Sequence, residues 1–183
     1  MAKAKTETTD KKQVTVSTNT TLLLKLGLQY QLESAQSSSP DYAGALLPAL
    51  IGPTGSGKTQ RVLAAGKELD LQVVRCLLAT RLPEDIGGYP RVLVDSEYQK
   101  PITEFILTRA VRHAIERPSL LFFDEIDKAR PEVVATVLTL MADRTIEGEM
   151  LHPRSVMAAA GQPVDAASWL SDETNKAFSA RCF

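Results

Sequence analysis

One octapeptide constrains the fold of this chain more than any other feature of its sequence: Gly52, Pro53, Thr54, Gly55, Ser56, Gly57, Lys58 and Thr59. The apolar run before it, Ala45–Ile51, predicts a buried strand, in which Pro48 is tolerable near an edge or a bulge. The pattern after it, Gln60–Leu69, predicts a helix. Glycines let successive backbone N–H groups face one anion, and the positive end of the helix dipole faces the same point. The sequence therefore predicts a phosphate-binding loop between a strand and a helix.

The side chains of this loop extend the prediction to a nucleotide and its metal. Every fixed position of GxxxxGK[ST] is matched, which disfavours the alternative of a glycine-rich turn that merely joins two elements. Lys58 is expected to bring its charge to the β- and γ-phosphates, and the Thr59 hydroxyl to ligate Mg²⁺. Gln60, the next residue, is included among the residues predicted to bind the cofactor, ATP.

A second apolar run, Leu120–Phe123, predicts another buried strand, and two carboxylates, Asp124 and Glu125, follow it directly. The carboxyl ends of parallel strands meet at one edge of a sheet, so Asp124 is expected beside the phosphate-binding loop. There it could hold the hydrated Mg²⁺, and Glu125 could polarise water for attack on the γ-phosphate. The alternative is a pair of solvated carboxylates at the end of a strand. A functional glutamate at this position favours ATP hydrolysis over simple nucleotide holding.

From Gly44 onward, short apolar runs alternate with helical patterns. This alternation predicts an α/β fold, with a mainly parallel sheet between two layers of helices, the three-layer α/β/α sandwich of P-loop NTPases. In the predicted helix over Thr103–Glu116, Phe105 and Ile106 are expected to face inward. The other predicted elements are a strand Leu71–Leu78, an irregular segment Arg81–Gln99 with a turn at Asp95-Ser96, a helix Pro131–Ala142, a hairpin from Thr145 to Pro153 turning near Glu147-Gly148, and a strand Ser155–Ala160.

The chain is predicted to have three regions. Residues 1–17 are polar and charged with few large apolar side chains, so a disordered tail is expected. Residues 18–43 are expected to form a helix, Thr21–Ala35, followed by a linker. Four apolar side chains can share one face of that helix: Leu22, Leu23, Leu26 and Tyr30. Residues 44–183 are expected to form the nucleotide-binding core.

Composition argues against several other classes of protein. The chain has 21 Lys and Arg against 22 Asp and Glu, so its charge does not indicate nucleic acid as a partner. The longest apolar stretch near the start, Leu22–Leu24, is far shorter than the ~20 residues of a membrane span, and no signal-peptide cleavage pattern follows. Cys76 and Cys182 lie far apart without CxxC spacing, so neither a disulfide nor a zinc site is expected. A cytoplasmic protein without membrane insertion is predicted.

With both motifs placed, the chain from about Ala45 to Phe183 resembles the AAA+ ATPases, most closely their MoxR-like and dynein/midasin-related branch. The segment Leu82–Gly88 is similar to the LP-D-L-G element of that branch. The segment Asp124–Val133 is similar to its DEI-(D/N)-(K/R)-A-x-P-E-V run, and Asp143–Gly148 resembles its helix end and following hairpin. The resemblance implies an ATPase that works as a homo-oligomeric ring, with a hexamer as the expected size.

The resemblance also implies two further catalytic residues. Gln162, before Pro163, aligns with the sensor asparagine, whose amide orients water; glutamine keeps the amide on a longer stem, so either it acts with altered geometry or turnover is weaker. Arg181 resembles the arginine finger that reaches the ATP of a neighbouring subunit. An ordinary strand-end residue and an exposed surface arginine are the respective alternatives. The chain is expected to stop before the family's fifth strand and helical lid, which leaves the strand Ala45–Ile51 as an apolar edge.

Two classes of function therefore stay open. The first is a chaperone-like ATPase that couples hydrolysis to remodelling of an unknown protein client. The second is a nucleotide-gated binding module, in which ATP switches assembly and turnover is incidental; Gln162 and the expected absence of a lid favour it, whereas Glu125 favours the first. A small-molecule kinase is a third reading, disfavoured because such enzymes usually lack an Asp-Glu pair followed by Ile-Asp-Lys-Ala.

Overall fold

The computed structural model describes residues 7–35, 47–163, 173–180 and 182, with only the backbone course described for 7–19. In chain order its helices are α1 (Glu7–Ala35), α2 (Lys58–Glu68), α3 (Glu84–Gly87), α4 (Arg109–Glu116), α5 (Pro131–Asp143) and α6 (Glu173–Ser179). Its strands are β1 (Ala49–Ile51), β2 (Gln72–Leu77), β3 (Tyr89–Val94), β4 (Pro101–Ile106), β5 (Ser119–Asp124), β6 (Thr145–Ile146), β7 (Glu149–Met150) and β8 (Val156–Gly161).

A parallel sheet forms the centre of the fold, with the strand order β1-β8-β5-β2. Every residue of β5 and of β8 is buried, as expected for parallel strands that are covered on both faces. Leu120 and Phe122 of β5 pack with residues of α1 and α2 on one face, whereas Leu121 and Phe123 pack with residues of α4 and α5 on the other. The predicted three-layer α/β/α class is therefore confirmed.

Several predicted elements are present with small shifts in their ends. The helix after the loop, α5 and the hairpin of β6 and β7 lie where the sequence placed them. The first strand is shorter than predicted, because its ladder with β8 begins at Ala49, after Pro48, which has no N–H to donate. On the other side of this segment Leu47 forms a parallel bridge with Cys182, so the expectation of an entirely uncovered edge is wrong at that position.

The structure corrects the prediction for residues between Arg81 and Ile106. The predicted irregular segment and the start of the predicted helix instead form an antiparallel hairpin, in which Tyr89 pairs with Ile106 and Val94 with Pro101. The helix α4 begins only at Arg109. Phe105 and Ile106, expected to face inward, are 42% and 47% exposed on this hairpin. Alternating β-branched and aromatic residues on either side of a turn stabilise paired strands.

The N-terminal helix also differs from its prediction. It begins at Glu7, so much of the segment expected to be disordered is helical. Elongating an existing helix costs far less than nucleating one, and the segment contains no glycine or proline to stop it. The four apolar residues predicted to share one face are all more than half exposed: Leu22, Leu23, Leu26 and Tyr30. The buried face instead carries Leu24 and Leu28, which pack against the sheet.

A buried amide connects α1 to the central sheet. The Gln31 side chain donates from Nε2 to the Met157 carbonyl at 2.9 Å and accepts from the Met157 N–H at 2.8 Å. Both backbone groups of Met157 are thereby satisfied by one side chain, in the manner of a neighbouring strand. This pair of hydrogen bonds fixes the position of α1 against β8.

The contact between α2 and β2 depends on Gly66. A Cβ at this position would lie 2.4 Å from Val73 Cγ2 and 3.3 Å from the Leu71 carbonyl oxygen. We therefore expect Gly66→Ala to lower the free energy of unfolding by about 1–2 kcal/mol, since overpacking outweighs the helix propensity gained. Gly87→Ala is the matched control, because its Cβ would meet only Thr136 Cγ2 at 3.6 Å. Urea unfolding measures both variants, and equal stability of the two would contradict this packing argument.

Candidate active site

The loop between β1 and α2 has the backbone of an anion cradle. Gly55 and Gly57 have φ angles of 79° and 81°, a left-handed conformation that glycine adopts without steric cost. Lys58 folds back over the loop, where its Nζ donates to the carbonyls of Gly52 at 2.6 Å and of Pro53 at 2.9 Å. The charge of Lys58 is thus held in place beside the backbone N–H groups at the start of α2.

One cavity of about 340 Å³ brings the predicted residues of both motifs together. Its lining includes Thr54, Gly55, Ser56, Gly57, Lys58, Thr59 and Gln60 from the loop, together with Asp124, Glu125, Gly161 and Gln162 from the ends of β5 and β8. Gly52 and Pro53 do not line it, but their carbonyls accept hydrogen bonds from Lys58, which does. A larger cavity of about 970 Å³ lies beside β2 and α4 and shares none of these predicted residues.

Asp124 is the buried acceptor of this site. Its side chain is 7% exposed, and the Thr59 hydroxyl donates to its Oδ2 at 3.3 Å. Its Oδ1 accepts the backbone N–H of Glu125 at 3.0 Å, which fixes the orientation of the carboxylate. The strand β5 therefore delivers a carboxylate to the first turn of α2, as its place at the end of a buried parallel strand predicts.

Glu125 follows with a left-handed backbone, at a φ of 57°. A non-glycine residue in this region carries local strain of about 1–3 kcal/mol, and such strain concentrates at functional sites. The turn directs the Glu125 side chain away from the line of β5, toward the cavity wall, where its Oε1 lies 3.4 Å from Lys128 Nζ. The two carboxylates thus have different surroundings, one buried and hydrogen-bonded and one partly exposed.

Gln162 is held at the same cavity by the end of β8. Its backbone N–H donates to Asp127 Oδ1 at 3.0 Å, and the Gly161 carbonyl accepts from the Gly52 N–H at 3.2 Å. A Cβ on Gly161 would lie 2.9 Å from the same Asp127 oxygen, so only glycine fits without displacement. These contacts link the loop to the end of β8. Arg181 lies outside the described residues, so its predicted role stays a prediction.

The structure adds a cavity residue that the sequence reasoning missed. Arg75 of β2 lies opposite Phe122 of β5, and its side chain reaches Asp124. Its Nε is 2.8 Å and its Nη2 2.6 Å from the same Asp124 Oδ2. A single arginine inside a predicted strand carries no motif, so only the pairing of β2 with β5 identifies it.

The segment similar to LP-D-L-G is hydrogen-bonded to the hairpin of β3 and β4. Asp85 accepts the Leu82 N–H at 2.9 Å and the Tyr89 hydroxyl at 2.8 Å, so it connects the start of α3 with the start of β3. Burial of the Asp85 carboxyl opposes ionisation, but these hydrogen bonds and the nearby Arg81 charge hold its pKa below the ordinary value. The same hydrogen bond to Asp85 raises the pKa of Tyr89.

The donor set of the cavity suits a magnesium ion with a nucleotide triphosphate. Hydroxyl and carboxylate oxygens are the ligands that Mg²⁺ prefers, and Thr59 Oγ1 and Asp124 Oδ2 are neighbours in the cavity. A positive lysine and a glycine-built loop at a helix start suit the phosphates. The fold and this site together define a P-loop nucleotide-binding protein.

Comparison with known proteins gives the family within that class. A family model described as "AAA domain (dynein-related subfamily)" matches residues 49–178, well over half of the chain. The chain therefore belongs to the AAA ATPases of the dynein-related subfamily. The match confirms the resemblance to the AAA+ ATPases and, within them, to the dynein-related branch.

Individual relatives are similar over the same region. The chain is 36% identical over 130 residues to mouse "ATPase family gene 2 protein homolog B", an alignment that covers 65% of this chain and 16% of that protein. It is 35% identical over 83 residues to an "ATP-dependent zinc metalloprotease FtsH homolog" of Helicosporidium sp. subsp. Simulium jonesii, covering 45% of this chain and 5% of that protein. The chain thus spans less than a fifth of the length of these curated relatives.

A solved structure is also similar, that of a protein from Cytophaga hutchinsonii proposed to be an ATPase, with 14% identity and a TM-score of 0.40. The alignment covers 83% of this chain and 48% of that one. As for membrane insertion, the part of the chain that the structure describes contains no helix with the length and apolar character of a membrane span.

Proposed function

We propose that this chain hydrolyses ATP with Mg²⁺ and couples the hydrolysis to remodelling of a protein partner, as a subunit of a homo-oligomeric ring. The observation that carries the proposal is the convergence of Lys58, Thr59, Asp124 and Glu125 on one cavity. Nucleotide binding without hydrolysis does not require Glu125. Family membership supports ATP as the nucleotide.

In this proposal each residue has a distinct role. Lys58 and the loop N–H groups bind the phosphates, and Thr59 with Asp124 would hold Mg²⁺, which neutralises charge on the phosphate oxygens when bound. Glu125, which is only partly buried and lies at the wall of the cavity, takes a proton from the attacking water. Gln162 at the end of β8 orients that water, and Arg181 contributes from a neighbouring subunit.

A separate observation supports contact with a protein partner. The hairpin of β3 and β4 exposes apolar side chains on a ribbon that is separate from the central sheet. The most exposed of these are Val92 at 71%, Val94 at 67% and Tyr98 at 66%. A cluster of exposed apolar residues on one ribbon is typical of a surface that contacts another protein. We propose that this hairpin contacts the client.

We also propose that the ring is a hexamer, that it is located in the cytoplasm and that its target is not a nucleic acid.

The hairpin gives a direct test of the remodelling proposal. Casein, an unfolded protein with exposed apolar segments, is expected to stimulate phosphate release from ATP by the wild-type chain. In the double variant Val92→Asp/Val94→Asp we expect the casein concentration for half-maximal stimulation to rise about ten-fold, because two exposed apolar contacts are lost. Basal phosphate release should stay unchanged, because the two valines lie outside the cavity.

Met150→Asp is the matched control, since Met150 is an apolar residue of another hairpin and is 56% exposed. The control should respond to casein like the wild type. If both charged variants respond equally, the hairpin does not contact the client. If ATP promotes assembly, measured by sedimentation, but no phosphate is released with or without casein, the nucleotide-gated module is the correct function.

A further inference from the structure

The Asp124 oxygen that faces Thr59 already has a cationic partner within the chain. Both Nε and Nη2 of Arg75 contact Asp124 Oδ2, at 2.8 Å and 2.6 Å, and the Thr59 hydroxyl donates to the same atom at 3.3 Å. The other oxygen, Oδ1, accepts the Glu125 N–H. Both oxygens of the Asp124 carboxylate thus accept hydrogen bonds from groups of the chain itself.

The environment of this ion pair is asymmetric. The Asp124 side chain is 7% exposed, whereas that of Arg75 is 49% exposed. A buried carboxylate without a partner is costly, so a positive charge beside it stabilises the folded chain. The arginine end of the pair lies at the cavity, where a long side chain can change partner without disturbing the core. Geometry therefore allows the pair to open from the Arg75 side.

Arg75 and a magnesium ion would share the Asp124 oxygen that faces Thr59. Magnesium binds oxygen ligands at about 2.0–2.1 Å, and a guanidinium within hydrogen-bonding distance of that oxygen opposes the ion through both space and charge. We propose that Arg75 competes with Mg²⁺ for Asp124, as the counter-cation of this carboxylate when no metal is bound. Arg75 thereby sets the magnesium concentration at which the site loads. This inference rests on the proposed function of the same cavity.

A purely structural role of Arg75 and a role in competition with Mg²⁺ predict different effects of its substitution. If Arg75 only supports the fold, Arg75→Gln should weaken nucleotide uptake at every magnesium concentration or leave it unchanged. If Arg75 competes for Asp124, the variant should need less magnesium. The direction of the change in magnesium dependence separates the two roles, independently of any turnover.

The test is a titration of Mg²⁺ into the chain with a fixed concentration of fluorescent mant-ADP, read by fluorescence. We expect Arg75→Gln to lower the magnesium midpoint about five-fold or more, at the lower end of typical couplings between two sites. Arg75→Lys should lower it less, because lysine keeps the charge without the planar fork. Arg154→Gln, which removes an exposed arginine far along the chain from both motifs, should match the wild type.

The outcomes distinguish this inference from the proposed function. A midpoint in Arg75→Gln that is equal to or above that of the wild type overturns the role of Arg75 but leaves the nucleotide site intact. If the wild type takes up no mant-ADP at any magnesium concentration, the proposed function and this inference both fail. Circular dichroism reports whether Arg75→Gln folds, and if it does not, the midpoint of Arg75→Lys decides the question.

Discussion

Phosphate release from ATP is expected to fall about 10²–10⁴-fold in Glu125→Gln, whereas nucleotide binding stays intact or becomes tighter. Glutamine has the same shape and can still form hydrogen bonds, but it cannot accept a proton from the attacking water. The left-handed backbone at Glu125, with a φ of 57°, is retained, so the side chain still points to the cavity wall. The variant thus removes the chemistry of this carboxylate and little else.

Two assays are needed to read this result. Colorimetric phosphate release measures turnover, and mant-ATP fluorescence measures binding in the presence of Mg²⁺. Glu132→Gln is the matched control, because Glu132 is an exposed glutamate in the first turn of α5 and should keep wild-type turnover. Full turnover in Glu125→Gln would show that another group activates the water. Loss of binding together with turnover would instead mean that the substitution distorts the site.

Lys58→Ala is expected to weaken nucleotide binding by about 10²–10³-fold, because charge-assisted hydrogen bonds to phosphate are lost. In the structure the Lys58 ammonium is already held over the loop by the Gly52 and Pro53 carbonyls. Wild-type binding therefore requires little rearrangement of this side chain. The variant loses both the charge and its fixed position, whereas the backbone N–H groups of the loop stay in place.

Equilibrium titration with mant-ATP and Mg²⁺ measures this effect. Lys67→Ala is the control, since Lys67 lies in the last turn of the same helix and is exposed. It should bind nucleotide like the wild type. Equal affinity of Lys58→Ala and the wild type would contradict the assignment of the loop, and with it the proposed ATPase.

The parts of the site that the sequence predicted depend on short-range patterns. The loop motif and the apolar run before Asp124 are continuous in sequence, and each includes the turn or strand that positions it. Their meeting in one cavity follows from the general geometry of parallel sheets. The role of Gln162 was predicted from the family resemblance. The structure places this residue at the same cavity because β8 is the neighbour of both β1 and β5.

What the sequence did not predict depends on pairing between distant segments. Arg75 contacts Asp124 only because β2 pairs with β5 in one register, which aligns Leu77 with Asp124. The packing face of α1 was mispredicted for a similar reason. Periodicity shows which apolar residues can share a face of a helix, but not which face packs against the sheet. The hairpin of β3 and β4 was missed because the apolar pattern of α4 continues in the sequence back to Phe105 and Ile106.

The separation of that hairpin from the central sheet has a consequence for how this chain can change. Among the residues that the structure describes, its two strands pair only with each other, and none of their residues belongs to either buried cluster. Substitutions along the ribbon therefore cost little folding free energy, in contrast to those in β5 or β8. The surface of this hairpin is therefore free to vary in sequence, whereas the cavity residues at the ends of β5 and β8 depend on the most protected strands.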